Sequence, residues 1–458
     1  MNIDQLKSVY FLGIGGIGMS ALARYFMSRG IKISGYDKTS TPLTDQLINE
    51  GMNIHFEENI DLIPNEIDLV VYTPAIPSGH KEMDYLIQKK QTLKKRAEVL
   101  GMISGKGKTI AVAGTHGKTT TATLIAHILK VAGIDLMAFL GGISKNYGTN
   151  FISSPVHQLI SSSTCFVVEA DEYDKSFLHL QPSIAVITST DADHLDIYGS
   201  LSEMKNTYLE FTGNLKHGGD LILKNGVDIG GVNDSEIHVF SYAVEDEADY
   251  FATNLKVNNG TYFFDLHTPA GMIKELTVGI PGRFNLENAI AALSVAHRMG
   301  IPDDVMRDSL KSYRGVQRRF DFHCQRPGFV YMDDYAHHPE ELKACIRAIK
   351  EVYPDKKITG VFQPHLYSRT RDFADAFARS LELLDEIILL DIYPAREAPI
   401  EGIDSTMLFN KIRSTNKILC TKENLINELT LRKPEVLLTL GAGDIDQMVS
   451  PIMNAFEK

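Results

Sequence analysis

Three consecutive α/β domains with mostly parallel sheets are what this sequence predicts, and three observations predict them. A strand, a glycine-rich turn and a helix follow one another twice, in residues 8–30 and 108–129. Short apolar strands of buried type alternate with helical stretches along most of the chain, and the alternation resumes after residues 312–315. The expected domains are residues 1–106, 107–315 and 316–458.

A chain of 458 residues, 44% hydrophobic and 23% charged, has material for two to four cores of ordinary domain size. The formal net charge of -12 argues against nucleic-acid or anionic-membrane binding, so cations used on phosphates must be concentrated locally. Small-molecule substrates fit better. Cys165, Cys324, Cys345 and Cys420 form no Cys-x-x-Cys pair, which suits a reducing compartment and offers no thiolate metal site. With no cleavable leader pattern and no apolar run of membrane-spanning length, the cytoplasm is the expected location, and a monomer or homodimer the expected state.

The first domain opens with strand Ser8–Leu12, turns through Gly13-Ile14-Gly15-Gly16-Ile17-Gly18 and continues as a helix to Gly30. A second strand, residues 31–36, ends at Asp37. Gly-x-Gly-x-x-Gly after a strand, with a carboxylate ending the next one, is a Rossmann-like arrangement for a nucleotide diphosphate; taken alone it points to NAD. Another strand is expected at Leu69–Tyr72, and the lysine and glycine cluster at 104–108 reads as a linker.

The central domain begins with an apolar strand and the loop Gly114-Thr115-His116-Gly117-Lys118-Thr119-Thr120. Small residues let backbone N–H groups converge on an anion, Lys118 supplies a point charge, and the Thr119 hydroxyl can ligate a magnesium ion. The loop is a variant phosphate loop, because Val112 stands where the common form carries a further glycine. Apolar strands at residues 165–168 and Ile184–Ile187 each run into acidic residues. Glu169 lies where a P-loop ATPase-like fold places a magnesium carboxylate, whereas Asp171, Glu172 and Asp174 read as a solvated acidic loop. Asp191-Ala192-Asp193-His194-Leu195-Asp196 follows the second strand, so His194 can reach the same site as a ligand or electrostatic partner. From about 249 to 278 the pattern alternates around an Asn259-Gly260 turn, which predicts an antiparallel subdomain, and a helix over 286–299 returns to the core.

The third domain is again Rossmann-like, with strands expected near residues 330–332, Ile358–Phe362, 387–390 and Val436–Leu440. Asp333-Asp334-Tyr335-Ala336-His337-His338-Pro339 and Phe362-Gln363-Pro364-His365 each follow a strand, bringing polar groups to the ligand edge of an open α/β sheet. Arg318, Arg319, Arg369 and Arg371 can neutralise phosphate or carboxylate, with structural ion pairs an equal reading for Arg318 and Arg371.

Taken together, these motifs, with Gly315-Val316-Gln317-Arg318-Arg319-Phe320 and Asp391-Ile392-Tyr393-Pro394-Ala395-Arg396-Glu397, resemble the Mur ligases of peptidoglycan precursor synthesis over essentially the whole chain. Within that family the likeness is to the branch that uses L-alanine. The resemblance implies an ATP-dependent amide ligase that joins L-alanine to the lactyl carboxylate of UDP-N-acetylmuramate through an acyl phosphate. It replaces NAD with UDP on Gly15, Gly16, Ile17, Gly18 and Asp37. It implies ATP on Gly114 to Thr120, magnesium on Thr119, Glu169 and His194, and Asn285 or Asn288 near adenine. Arg319 and Asp334 would complete the nucleotide site, and Tyr335, His337 and Arg369 would position the amino acid and acyl group. Lys118, Glu169, His194 and Arg369 are the expected catalytic residues.

Some relatives carry a carbamylated lysine after the counterpart of His194; Lys205 falls too early for that role. Members often read Phe-Gln-Pro-His-Arg where this chain has Leu366, which puts more of the substrate contact on Arg369. A ligase of the same fold that attaches a ready-made tripeptide is the nearest alternative, and a nicotinamide-dependent oxidoreductase the alternative of another class. Hinges are expected near residues 104–108 and 312–318.

Overall fold

The computed structural model describes residues 2–154, 160–191, 198–232, 236–395 and 397–456. Three sheets carry the chain. The first has five parallel strands, β1 (Ser8–Leu12), β2 (Lys32–Tyr36), β3 (Asn53–His55), β4 (Leu69–Tyr72) and β5 (Leu93–Lys95), in the order β3-β2-β1-β4-β5. Helices α1 (Ile17–Ser28), α2 (Pro42–Asn49), α3 (Lys81–Gln88) and α4 (Arg96–Ser104) connect or follow them. Leu12 is in register with both Tyr36 and Tyr72, so the first glycine loop, Asp37 and Thr73 leave the sheet at one edge, where the strand order reverses.

The second sheet has ten strands. β6 (Lys108–Ala113) feeds the phosphate loop and helix α5 (Lys118–Val131), and the others are β7 (Leu136–Ser144), β8 (Thr149–Ser153), β9 (Cys165–Glu169), β10 (Ile184–Ile187), β11 (Asp220–Lys224), β12 (His238–Ala243), β13 (Tyr250–Asn258), β14 (Thr261–Thr268) and β15 (Gly271–Val278). Their order is β15-β14-β13-β12-β11-β10-β6-β9-β7-β8. β6 pairs in parallel with β9 and β10, aligning Val112 with Glu169 and Ala113 with Ile187. Three chain segments therefore emerge together at the carboxyl edge. Asn259 and Gly260 both take positive φ, 47° and 75°, the geometry of a tight two-residue hairpin. β14 and β15 are likewise joined by two residues, a connection open only to antiparallel neighbours.

The expected 106/107 boundary separates two sheets that share one apolar core, running from Phe11 and Leu22 to Phe166 and Val168. The Tyr25 ring of α1 sits 5.7 Å from Phe139 and 6.0 Å from Phe151. Buried Arg24 reaches Asn150, whose amide in turn donates to Ser20 Oγ at 2.9 Å. The first sheet and the second from β6 to β12 accordingly fall in one compact unit, residues 1–253, 265–276 and 287–313. Around the expected linker, α4 ends at Ser104 and β6 begins at Lys108.

The second unit comprises residues 254–264, 277–286 and 314–458. It carries β16 (Asp321–Arg326), β17 (Phe329–Asp334), β18 (Ile358–Phe362), β19 (Glu386–Leu389), β20 (Lys417–Leu419) and β21 (Val436–Leu440), ordered β16-β17-β21-β18-β19-β20. Only β16 runs antiparallel to its neighbour. Successive residues of β17 feed opposite cores, Val330 and Met332 on one face and Phe329 and Tyr331 on the other, so the sheet is covered on both sides. Leu440 aligns with both Asp334 and Phe362, which gathers residues 335, 363 and 441 at one edge. Among the described residues, no helix is long and apolar enough to cross a membrane.

Candidate functional site

The phosphate loop turns on Gly117, which stands at φ 80°; a methyl group there would lie 2.4 Å from Asn288 Oδ1. Only glycine fits. α5 starts at Lys118 with no side-chain cap, which leaves its first N–H groups and positive dipole end for an anion. The loop is braced from the segment after β10. Ser189 Oγ accepts from His116 N at 2.9 Å and bonds to Thr115 Oγ1 at 2.7 Å, while Thr188 Oγ1 donates to the His116 carbonyl. His116 Nε2 lies 3.7 Å from Asp191 Oδ2. On α5, Thr121 Oγ1 donates to Asn288 Oδ1 at 3.2 Å.

Lys118 Nζ donates to Gly114 O at 2.6 Å and pairs with Glu172 Oε2 at 2.8 Å. Burial pulls against its charge, but Glu172, Glu169 and Asp171 outweigh burial and hold the ammonium above the ordinary lysine range. Thr119 Oγ1 donates to Glu169 Oε1 at 3.0 Å, and Glu169 Oε2 accepts from Gly141 N at 2.9 Å. His194 lies outside the described residues. Among those described, no three His, Cys, Asp or Glu side chains converge as a metal cage. The hydroxyl and carboxylate of Thr119 and Glu169 are nevertheless the oxygen donors that a hard divalent cation prefers.

In the acidic run after β9, Glu172 departs from the solvated loop expected for it, while Asp171 and Asp174 stay partly exposed. Glu172 is 1% exposed and holds Lys118, because the chain turns back through Asp174 and Lys175, both at positive φ, and Tyr198 OH ties down its carbonyl at 2.5 Å. Asp171 pairs with Arg96 at 3.1 Å and Asp174 with Lys95 at 2.9 Å, so these carboxylates join the first two sheets.

At the edge of the first sheet, Asp37 Oδ2 accepts from Gly15 N at 2.7 Å, with Gly16 capping α1 by backbone alone. Ile17 and Gly18 form the first turn of that helix. Nearby, buried Glu82 accepts from Tyr10 OH at 2.5 Å and Asn59 N at 3.0 Å and bonds to His55 Nε2 at 2.8 Å.

In the second unit, Asp334 is buried and accepts from Phe320 N at 2.7 Å and Ala336 N at 2.8 Å. Burial pushes its carboxyl up to about 6, against the pull of Arg319. The guanidinium groups of Arg318 and Arg319 lie 5.0 and 4.9 Å from the Tyr335 ring centre. Arg318 is a structural pair, bonded to Asp333 at 3.2 Å and to Gly441 O at 2.6 Å, and Arg371 pairs with its neighbour Asp372 at 2.7 Å. Burial pulls His337 down to about 4, and its Nδ1 lies 3.0 Å from the Tyr335 carbonyl. A carbonyl only accepts, so Nδ1 carries the hydrogen and Nε2 is left as an acceptor. Arg369 Nη1 approaches His365 Nδ1 at 3.5 Å, and the His365 ring stacks on Tyr393 at 5.8 Å. Asn285 also belongs to this unit, where it donates to Pro281 O at 2.6 Å.

Three family models match in succession: the Mur ligase family catalytic domain over residues 8–107, the Mur ligase middle domain over 112–296, and the glutamate ligase domain of Mur ligases over 318–443. The chain belongs to the Mur ligase family. Its curated relatives include UDP-N-acetylmuramate--L-alanine ligases from Flavobacterium psychrophilum, 49% identical with 100% of both chains covered, and Porphyromonas gingivalis, 47% identical with 98% of each covered. Among solved structures, the UDP-N-acetylmuramate-alanine ligase of Thermotoga maritima matches with a TM-score of 0.83 at 25% identity, covering 98% of this chain and 99% of that one. A murein peptide ligase from Psychrobacter arcticus shares the fold, with a TM-score of 0.73 at 20% identity and 98% of both chains covered.

In this Mur ligase, sequence reasoning missed Thr188 and Ser189, which follow β10, and Gly141, which lies on β7. Ser189 was findable in principle, two residues past the end of β10 and beside the loop it braces. Gly141 carried no local signal, since its role is to let a carboxylate from another strand come close.

Proposed function

We propose that this Mur ligase joins L-alanine to the lactyl carboxylate of UDP-N-acetylmuramate at the expense of ATP, in the cytoplasm. The observation that carries the reading is full-length identity of 49% to a UDP-N-acetylmuramate--L-alanine ligase. The Lys118, Thr119 and Glu169 arrangement supports the chemistry. Free cysteines throughout the described chain suit a reducing compartment.

A carboxylate does not condense with an amine in water unless it is activated, and ATP with magnesium supplies that activation by phosphoryl transfer. The residues present fit both groups. The glycine turn and the open start of α5 offer N–H groups to a triphosphate, Lys118 offers a charge, and Thr119 with Glu169 offers oxygen donors to magnesium; His194 is proposed as a further ligand from the sequence alone. Such preorganised groups stabilise charge as it develops, the main help a protein gives phosphoryl transfer. Asn285 or Asn288 approaches the base. Gly15 to Gly18 and Asp37 hold the UDP end. Arg319 and Asp334 act on the nucleotide, and Tyr335, His337 and Arg369 position alanine and the acyl group, with neutral His337 Nε2 able to accept a hydrogen from an amine.

The test measures phosphate release from ATP and magnesium in the presence of UDP-N-acetylmuramate, with L-alanine, glycine, L-serine or a tripeptide as acceptor. L-alanine is expected to be preferred. Release that ignores the acceptor would sink the ligase reading, and preference for the tripeptide would move the chain to the recycling branch.

A further inference from the structure

The phosphate-loop lysine already has two protein partners. Lys118 Nζ contacts Gly114 O at 2.6 Å and Glu172 Oε2 at 2.8 Å, with the two side chains 14% and 2% exposed. Neighbouring acids have other cations: Asp171 has Arg96 and Asp174 has Lys95. Glu172 is held where it is by backbone as well as by charge, since Tyr198 OH bonds to its carbonyl and the chain reverses at Asp174 and Lys175. A carboxylate so placed is a built-in counter-charge, facing the ammonium that a triphosphate would use.

We infer that Glu172 is a positioning residue that parks Lys118 between turnovers: it holds the ammonium folded onto the loop, gives it up when nucleotide binds, and recaptures it as the product nucleotide leaves. The inference rests on the reading of residues 114–120 as a nucleotide site. A buried ion pair that must be opened sets binding against an internal competitor, so it lowers affinity for nucleotide. Removal of the competitor therefore tightens binding, the opposite of what loss of a substrate contact would do.

The experiment titrates magnesium ADP into the full-length wild type and into Glu172→Gln by calorimetry. It also measures the labelling rate of Lys118 by an amine-reactive reagent, read by mass spectrometry against the other lysines. Glu172→Gln is expected to bind ADP about 5- to 20-fold more tightly and to label about tenfold faster at Lys118 alone. Glu172→Asp, which keeps the charge but shortens the reach, is expected to shift both in the same direction by about 2- to 5-fold and decides the matter if the glutamine variant does not fold. Unchanged or weaker ADP binding in a folded variant, or Lys118 labelling that does not rise above the other lysines, overturns the inference. Failure of the wild type itself to bind ADP overturns the nucleotide reading, a separate result.

Discussion

Thr119 Oγ1 and Glu169 Oε1 stand 3.0 Å apart, one at the head of α5 and the other at the end of β9, and the second oxygen of the same carboxylate is fixed by Gly141 N at 2.9 Å. The closeness depends on Gly141 having no side chain. A methyl group there would fall 2.4 Å from Glu169 Oε2, too close to keep, and the flexible carboxylate rather than the backbone would give way. Gly141→Ala is therefore expected to fold with thermal stability near that of the wild type and to need about tenfold more magnesium for half-maximal activity. An unchanged magnesium requirement would show that Glu169 does not depend on this contact.

His337 makes the stability of the second unit depend on pH. Burial lowers it from 6.5 to about 4, helped by Arg369 and opposed by Glu341. The unfolded chain takes up the proton first as pH falls, so the neutral imidazole contributes stability that is fully present above about 6.5 and is lost between about 6.5 and 4. The shift corresponds to a loss on the order of 3 kcal/mol. Denaturant unfolding of the wild type and of His337→Gln at pH 7 and pH 4.5 should show the wild type losing about 2 kcal/mol more across that interval. Parallel losses would remove His337 as the cause.

The legible parts of this fold were those in which one short segment contains its own explanation. Gly114 to Thr120 combines a strand end, a glycine turn and a helix start, and the Asn259-Gly260 turn announces its hairpin by residue type alone. Glu172 was misread because its burial is set by Lys118, fifty-four residues earlier in the chain, and no local pattern separates a buried carboxylate from its acidic and polar neighbours. β7 escaped the reading because Gly141-Gly142 interrupts its apolar run, and Gly141 is present for Glu169 rather than for the strand. The shared core of the first two sheets was equally invisible, since the rings of Tyr25, Phe139 and Phe151 meet only after both sheets have formed.

That shared core predicts cooperative behaviour. Tyr25 and Phe26 are fully buried, with Tyr25 against rings of β7 and β8, so a fragment of residues 1–106 would expose the aromatic face of α1 to water. Such a fragment is expected to be digested rapidly by protease under conditions in which the same segment of the full chain survives. Tyr25→Ala in the full chain should destabilise by about 3 to 5 kcal/mol, in one transition for both sheets. Two separate transitions, with β6 to β12 unaffected, would show that the sheets fold independently.

Leu366 stands at φ 70° and ψ 136°, a conformation that suits glycine and costs a branched residue about 1 to 3 kcal/mol. The strain is held by bonds on both sides: its N–H donates to Tyr393 O at 3.0 Å, and its carbonyl accepts from Thr370 Oγ1 at 2.7 Å. Its neighbours His365 and Arg369 are the residues drawn together at this edge, 3.5 Å apart. Leu366→Gly relieves the strain but adds freedom to the unfolded chain, worth about 0.5 to 1 kcal/mol in the other direction. The net expectation is a gain of about 1 kcal/mol in denaturant unfolding. If the strained turn presents Arg369 to the amino acid, the same variant should raise the KM for L-alanine several-fold and leave that for ATP in place. A stabilised variant with both constants unchanged would make the strain incidental to substrate binding, and a destabilised one would show that the Leu366 side chain contributes more than its backbone costs.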